Sequence, residues 1–245
     1  MWAVVVVVGL QAAAFPDPAG LDGVLAAAVQ GDRVDYDAVE RERPALRAFL
    51  DAVATTKDLG SASDDERLAF IVNAYNATVL HEVLVHGLAR RAGAKVVDVK
   101  GFFDARRHPI AGLSLTLNEL EAQARKLDAR VHFVVNCASI DCPPLRVRAY
   151  RAATLDADLE TQTRQFLSRP EQLRVDVKAG VVVTSQLLEW YAADFGDVRA
   201  FLARYAPVAD LKITFRPYDW RLNAAPTKTK ATTTTTTTTT TPSAP

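Results

Sequence analysis

Apolar positions recur at helical spacing through most of this chain. Leu21, Val24, Leu25, Ala28 and Val29 follow an i, i+3, i+4, i+7 rhythm that predicts a helix over 21–29. Gly31 interrupts it, and in GDRVDY (31–36) Val34 and Tyr36 alternate outward from a turn. Residues 37–56 resume helical spacing, with Pro44 tolerable in the first turn of a second segment. The clearest element is 61–87, where Ser63 and Glu66 form a capping-box pattern and Gly87 supplies the stop. It is apolar almost all round, so it belongs in the middle of the domain. Asn73 and Asn76 fall on its apolar side. Once buried they need partners, in a structural network or along a cleft.

The second half mixes periods. KVVDVKGFF (95–103) and HPIAGLSLT (108–116) are β-prone and rich in turns, and 115–127 predicts a helix capped by Thr116 or Asn118. RVHFVVN (130–136) has period two and β-branched residues, and it reads as the best strand in the chain. In that strand His132, Val134 and Asn136 would share one face. An amphipathic helix over 152–170 is halted by Pro170, and a hairpin turns about Ala179–Gly180. Two short helices follow, then a closing strand over 211–223 with an aromatic tail, in which Asp219 and Arg221 can pair. Trp190, Tyr191 and Phe195 lie at helical spacing and are expected in the core. Together these elements predict the α+β class: a helix-rich single domain with a small mixed or antiparallel sheet.

Charge narrows the partners. Lys plus Arg and Asp plus Glu each number 29, so no bulk field draws nucleic acid or an anionic membrane. The basic ARRHP (105–109) reads as a solvated loop. The apolar run Trp2–Leu10 falls short of the ~20 residues needed to cross a bilayer. With small residues at Ala12–Ala14 it resembles a secretory leader, although no Lys or Arg precedes it. Residues 1–14 are thus expected to be a signal peptide and the product to be exported, with no stable membrane insertion. Residues 225–245 contain ten consecutive threonines and are expected to stay disordered outside the 20–223 domain.

The chemistry concentrates in ARVHFVVNCASIDCPPLRVRAY (129–150), which holds both cysteines. Three readings fit. As a nucleophile Cys137 is the better thiol, because Asp141 adjoins Cys142 and disfavours its thiolate. As a disulfide, Cys137 and Cys142 would close a six-residue loop worth about 2 kcal/mol in chain entropy, or form a reversible redox couple. As a metal site the C-x4-C pair lacks a second ligand motif and would have to borrow His132 and His108. No P-loop, G-x-G-x-x-G or H-E-x-x-H is present, and no cofactor or metal is expected. His81 and His86 are five apart, and both read as structural or surface residues.

Six blocks carry a resemblance: GDRVDYDAV (31–39), RLAFIVNAYNATVL (67–80), LSLTLNELE (113–121), ARVHFVVNCASIDCPPLR (129–146), SQLLEWYAADFG (185–196) and YDWRLN (218–223). In content and order they resemble domain of unknown function 547, over roughly residues 20–223. The resemblance implies motif positions at Asn73, Tyr75, Asn76, Glu121, His132, Cys137, Cys142, Pro143 and Asp194. It also implies export, common among bacterial members, and thiol chemistry, since some animal members accompany a glutaredoxin-like module. One departure stands out: relatives place His after the glutamate of the LxxIE block, where this chain has Ala122.

The expectation is a polar cleft built from Asn73, Asn76, Glu121 and the His132–Cys142 segment. As an enzyme it would use Cys137 as nucleophile and His132 or Glu121 as proton acceptor. Asn73 or Asn76 would orient the substrate, an amide or thioester, or stabilise an oxyanion. The alternative is a non-catalytic binding or scaffold module, or a redox module, carrying a Cys137–Cys142 disulfide. In either case the partner is an unidentified small molecule or peptide.

Overall fold

Helices form the first half of the structure, a computed structural model that describes residues 15–57, 59–208 and 210–226. The leader-like segment 1–14 and the threonine run lie outside the described residues. Helix α1 (Ala19–Ala28) buries Leu21, Val24, Leu25 and Ala28, the face its spacing predicts. Strands β1 (Val29–Gln30) and β2 (Arg33–Val34) pair antiparallel about Gly31, whose φ of 63° suits a residue without Cβ. The stretch read as helical over 37–56 divides in two. Asp35 caps α2 (Tyr36–Arg41) through the Ala38 N–H, and α3 (Arg43–Thr55) starts with Pro44 in its first turn.

Helix α4 (Asp64–Val85) has both halves of the Ser63/Glu66 capping box and stops where Gly87 turns left-handed. By length and composition it could cross a membrane, yet most of it is buried inside the protein. Its surroundings are the main core, drawn from α1, α2, α3 and α5. A hairpin of β3 (His108–Ile110) and β4 (Leu113–Leu115) leads into α5 (Leu117–Arg125), capped by Thr116 with Glu119. Helix α6 (Leu155–Leu167) follows the cysteine segment. Strands β5 (Leu173–Asp176) and β6 (Val181–Ser185) pair antiparallel, and β7 (Lys212–Arg216) runs parallel to β6. The short helices α7 (Leu187–Trp190), α8 (Ala192–Phe195) and α9 (Val198–Ala203) lie between β6 and β7 in the chain. A second core, with Phe133, Phe166, Val182, Leu188 and Leu202, joins this mixed sheet to α6. The architecture is the predicted helix-rich α+β domain with a small mixed sheet.

Two local expectations are corrected. Residues 130–136 do not form a strand: Ala129–Phe133 is a 3-10 turn. Asp128 starts it by accepting the Arg130 N–H at 2.7 Å, and the N–H groups of Val134 and Val135 both return to the Val131 carbonyl. Side-chain capping and tertiary partners thus override β propensity. The β-prone 95–103 contains a 3-10 turn at Val96–Asp98 and a single bridge, Lys95 to Arg221. The ARRHP loop is solvated as expected, with Ala105, Arg106, Arg107 and Pro109 exposed, and Arg106 also reaches the buried Glu82 carboxylate at 2.5 Å.

Beyond β7 the aromatic tail ties separate segments together. Leu222 donates to the Ala94 carbonyl, Asn223 donates to Ala138, and the Asn223 carbonyl accepts from Val34, at 2.8–3.0 Å. Asp219 and Arg221 pair as expected.

Candidate functional site

Residues 134–137 pair with no strand, so side chains hold their backbone, and at Ser139 the segment bridges to Leu222 of the tail. Asn76 on α4 donates to the Val134 carbonyl at 3.0 Å and accepts the Asn136 N–H at 2.8 Å. The Asn136 side chain accepts from Ala138 N–H and donates to the Pro143 carbonyl at 2.7 Å, closing the loop on itself. Asn223 adds a donor to the same Asn136 oxygen. Asn73 clamps Tyr150 in the same two-handed way, at 2.8 Å in both directions. A buried backbone without ladder partners requires such substitutes.

Within this frame Cys137 and Cys142 form a disulfide, with Cα atoms 6.1 Å apart. Cys137 is half-buried, whereas Cys142 is only 5% exposed. The Cys142 sulfur accepts the Cys137 N–H at 2.7 Å. The Cys137 sulfur lies 3.0 Å from the Ser139 hydroxyl and 3.3 Å from that of Tyr218. The Asp141 charge beside Cys142 is met by Arg216 through two bonds of 2.6 and 2.7 Å, which offsets its effect on the neighbouring sulfur.

An acid–base group lies alongside. His132 is almost fully buried and donates from Nε2 to Asp194 at 2.7 Å, the tautomer required by a carboxylate already bound to Arg125. The Arg125 guanidinium, 2.5 Å away, holds the Asp194 carboxyl below its usual range, and His132 adds to this. His132 Nδ1 has no hydrogen-bond partner among the described residues and faces Glu121 Oε1 at 3.6 Å. Burial lowers the His132 pKa to about 4 despite the Asp194 bond and charge, so the ring is neutral at pH 7. Burial raises the Glu121 carboxyl, against the opposing hydrogen bond from Tyr191 and the Arg125 charge. Tyr191 also stacks on His132, with ring centroids 3.9 Å apart.

These groups line one cleft of about 280 Å³. Glu121, His132, Cys137 and Cys142 all border it, as do Tyr75, Phe103 and an aromatic wall of Trp190, Tyr191, Tyr218 and Trp220. Six of the residues anticipated from sequence, these four with Tyr75 and Pro143, are therefore brought together. Asn73 and Asn76 are not: neither borders this cleft, and both amides are spent on backbone. Trp190, expected in the core, is corrected to a cleft wall, 45% exposed, whereas Tyr191 packs against the second core and also borders the cleft. They sit at the junction of two four-residue helices, too short for one continuous apolar stripe. Phe195 does pack inside, 4.6 Å from Phe201. Sequence reading assigned Tyr218 and Trp220 to a terminal strand and gave Asp194 no role beyond its motif position; the wall and the histidine's carboxylate partner emerge only in three dimensions. Among the described residues no group of three or more His, Cys, Asp or Glu side chains is placed to hold a metal ion.

Residues 59–167 match the family model described as "Protein of unknown function, DUF547". No match was found among curated proteins or solved structures. The matched residues include Glu121, His132 and both cysteines; Tyr191, Asp194, Tyr218 and Trp220 lie beyond them.

Proposed function

The chain carries the DUF547 domain over residues 59–167, and from that premise we propose that it is a thiol–disulfide exchange protein whose reactive sulfur is Cys137. The observation that carries this reading is the position of the disulfide: both sulfur-bearing residues border the cleft that holds Glu121 and His132. A disulfide reacts only where a thiolate can approach in line with the S–S bond, and approach is easier at the half-buried Cys137 than at Cys142.

In the step proposed, a substrate thiolate attacks Cys137 Sγ. The S–S bond breaks and its electron pair leaves on Cys142 Sγ, where the Cys137 N–H stabilises the developing charge. A second substrate thiolate then attacks the mixed disulfide and frees Cys137, whose charge is met by the Ser139 and Tyr218 hydroxyls. The substrate dithiol is oxidised by two electrons, the protein disulfide is reduced, and the two substrate protons end on the cysteines. The lone pair of His132 Nδ1 and the Glu121 carboxyl are the groups in the cleft able to move those protons.

The acyl-transfer reading, with reduced Cys137 attacking an amide or thioester, is less well supported. Cys137 is held in a disulfide, and neither asparagine reaches the cleft to stabilise an oxyanion. A purely structural staple is also less well supported, because Asn76, Asn136, Asn223 and Arg216 already hold the loop. An oxidising compartment would favour the disulfide form from which exchange starts, in keeping with the export expected from the first fourteen residues.

The test is regiochemical. The oxidised protein is mixed with a monothiol such as N-acetylcysteine, quenched in acid, and mapped by peptide mass. The expected adduct sits on Cys137 with Cys142 free. An adduct on Cys142, or none under native conditions, would overturn the proposal.

A further inference from the structure

Trp190, Tyr218 and Trp220 come from two separate elements, α7 and the segment after β7, and meet as one aromatic group. Their ring centroids lie 5.6 Å apart for Trp190 and Trp220, 5.1 Å for Trp190 and Tyr218, and 4.7 Å for Tyr218 and Trp220. A cluster formed only for packing would be buried, yet Trp190 is 45% exposed and all three residues border the cleft. Tyr218 belongs to both parts of the site: its ring is in the group, and its hydroxyl is 3.3 Å from Cys137 Sγ.

Charge describes what such a wall can hold. Three nearby carboxylates are paired, Asp194 with Arg125, Asp219 with Arg221, and Asp141 with Arg216, and the exposed Glu189 beside Trp190 does not border the cleft. Burial also favours the neutral form of the Glu121 carboxyl. The cleft therefore offers aromatic faces and no uncompensated charge, complementary to an uncharged aromatic group and indifferent or hostile to an ionic one. Its volume of about 280 Å³ is at the low end for ligand sites, enough for one large side chain with flanking backbone.

We infer that Trp190, Tyr218 and Trp220 form a docking shelf for an aromatic side chain of an extended, low-charge peptide, and that this docking presents a neighbouring cysteine of the peptide to Cys137. The cysteine half of this inference rests on the exchange reading; the shelf does not. A peptide suits the arrangement because consecutive Cα atoms are only about 3.8 Å apart. A cysteine next to the docked residue therefore falls within reach of the sulfur that Tyr218 touches.

Two of the three tryptophans in the chain are on the shelf, so intrinsic fluorescence reports its occupancy. The full chain is titrated with two short peptides that carry Ser in place of Cys and differ only in Phe or Glu beside it. The Phe peptide is expected to bind about tenfold more tightly, the scale of burying one aromatic side chain. Trp190→Ala, at a solvent-exposed position, should abolish that preference, and Trp190→Phe should restore most of it; circular dichroism checks folding in both. Equal affinity for the Phe and Glu peptides, or a preference unchanged in Trp190→Ala, would overturn the shelf. Equally tight binding of free phenylalanine amide would overturn the peptide assignment. Phe-Ser binding with no exchange by the Phe-Cys peptide would leave the shelf standing and remove the exchange reading instead.

Discussion

Glu121 and His132 sit side by side, and burial moves them in opposite senses along the pH axis. The folded His132 titrates at about 4 against 6.5 for an ordinary histidine. Between those values the unfolded chain binds the extra proton, so this residue makes stability rise with pH. Glu121 is raised above 4.5, so above that value the folded state keeps a proton the unfolded chain has lost, and stability falls with pH. From pH 4.5 upward toward 6.5, for as long as the folded Glu121 carboxyl keeps its proton, the two oppose. Glu121→Gln removes the second contribution, so the stability of the variant should climb more steeply with pH there. One proton limits the added slope to about 1.4 kcal/mol per pH unit. Urea midpoints across that range measure it, and parallel profiles for variant and wild type would contradict the assignment. Both residues were legible in the sequence as members of motif blocks. Their partners Tyr191 and Asp194 were not legible as partners, because nothing local ties positions near 191 to positions near 132.

Among the elements, α4 shows best what local pattern can and cannot convey. Its capping box, its stop at Gly87 and its burial follow from composition and spacing. The role of its asparagines does not: an amide on an apolar face suits a cleft as well as a backbone clamp, and only the neighbouring chain decides. The neighbour is the 129–136 segment, where β-branched residues misdirect, because Asp128 initiates a turn and Asn76 takes the place of a strand partner. Asn76→Ala would leave the Val134 carbonyl and the Asn136 N–H without partners and should cost about 2–5 kcal/mol. Chemical denaturation checks this, and a loss under 1 kcal/mol would contradict the clamp. The disulfide should matter less. With the loop held by side chains, Cys137→Ser/Cys142→Ser should lower stability by about 2 kcal/mol, the entropy of so short a closed loop. Failure of that double variant to fold would favour the staple.

Across the whole molecule, the cleft is assembled from α4, α5, the cysteine segment, the α7–α8 junction and the tail after β7, with Tyr75 and Trp220 about 145 residues apart in the chain. The α+β class and the order of elements were readable because hydrophobic period and caps are local signals. The aromatic wall was not, since Trp190, Tyr218 and Trp220 become neighbours only when β7 lies parallel to β6 and the tail turns back over the cysteine loop. This assembly makes the disulfide a wall of a cavity as well as a link between two residues. The most direct test is the midpoint potential of the Cys137–Cys142 couple, from equilibration of the native full chain in glutathione buffers and quantification of alkylated thiols by mass. Exchange requires a midpoint above about −300 mV, within the range of proteins that trade disulfides with thiols. A midpoint below that value, or a bond that opens only in denaturant, would contradict the account and leave Cys137–Cys142 as a structural link.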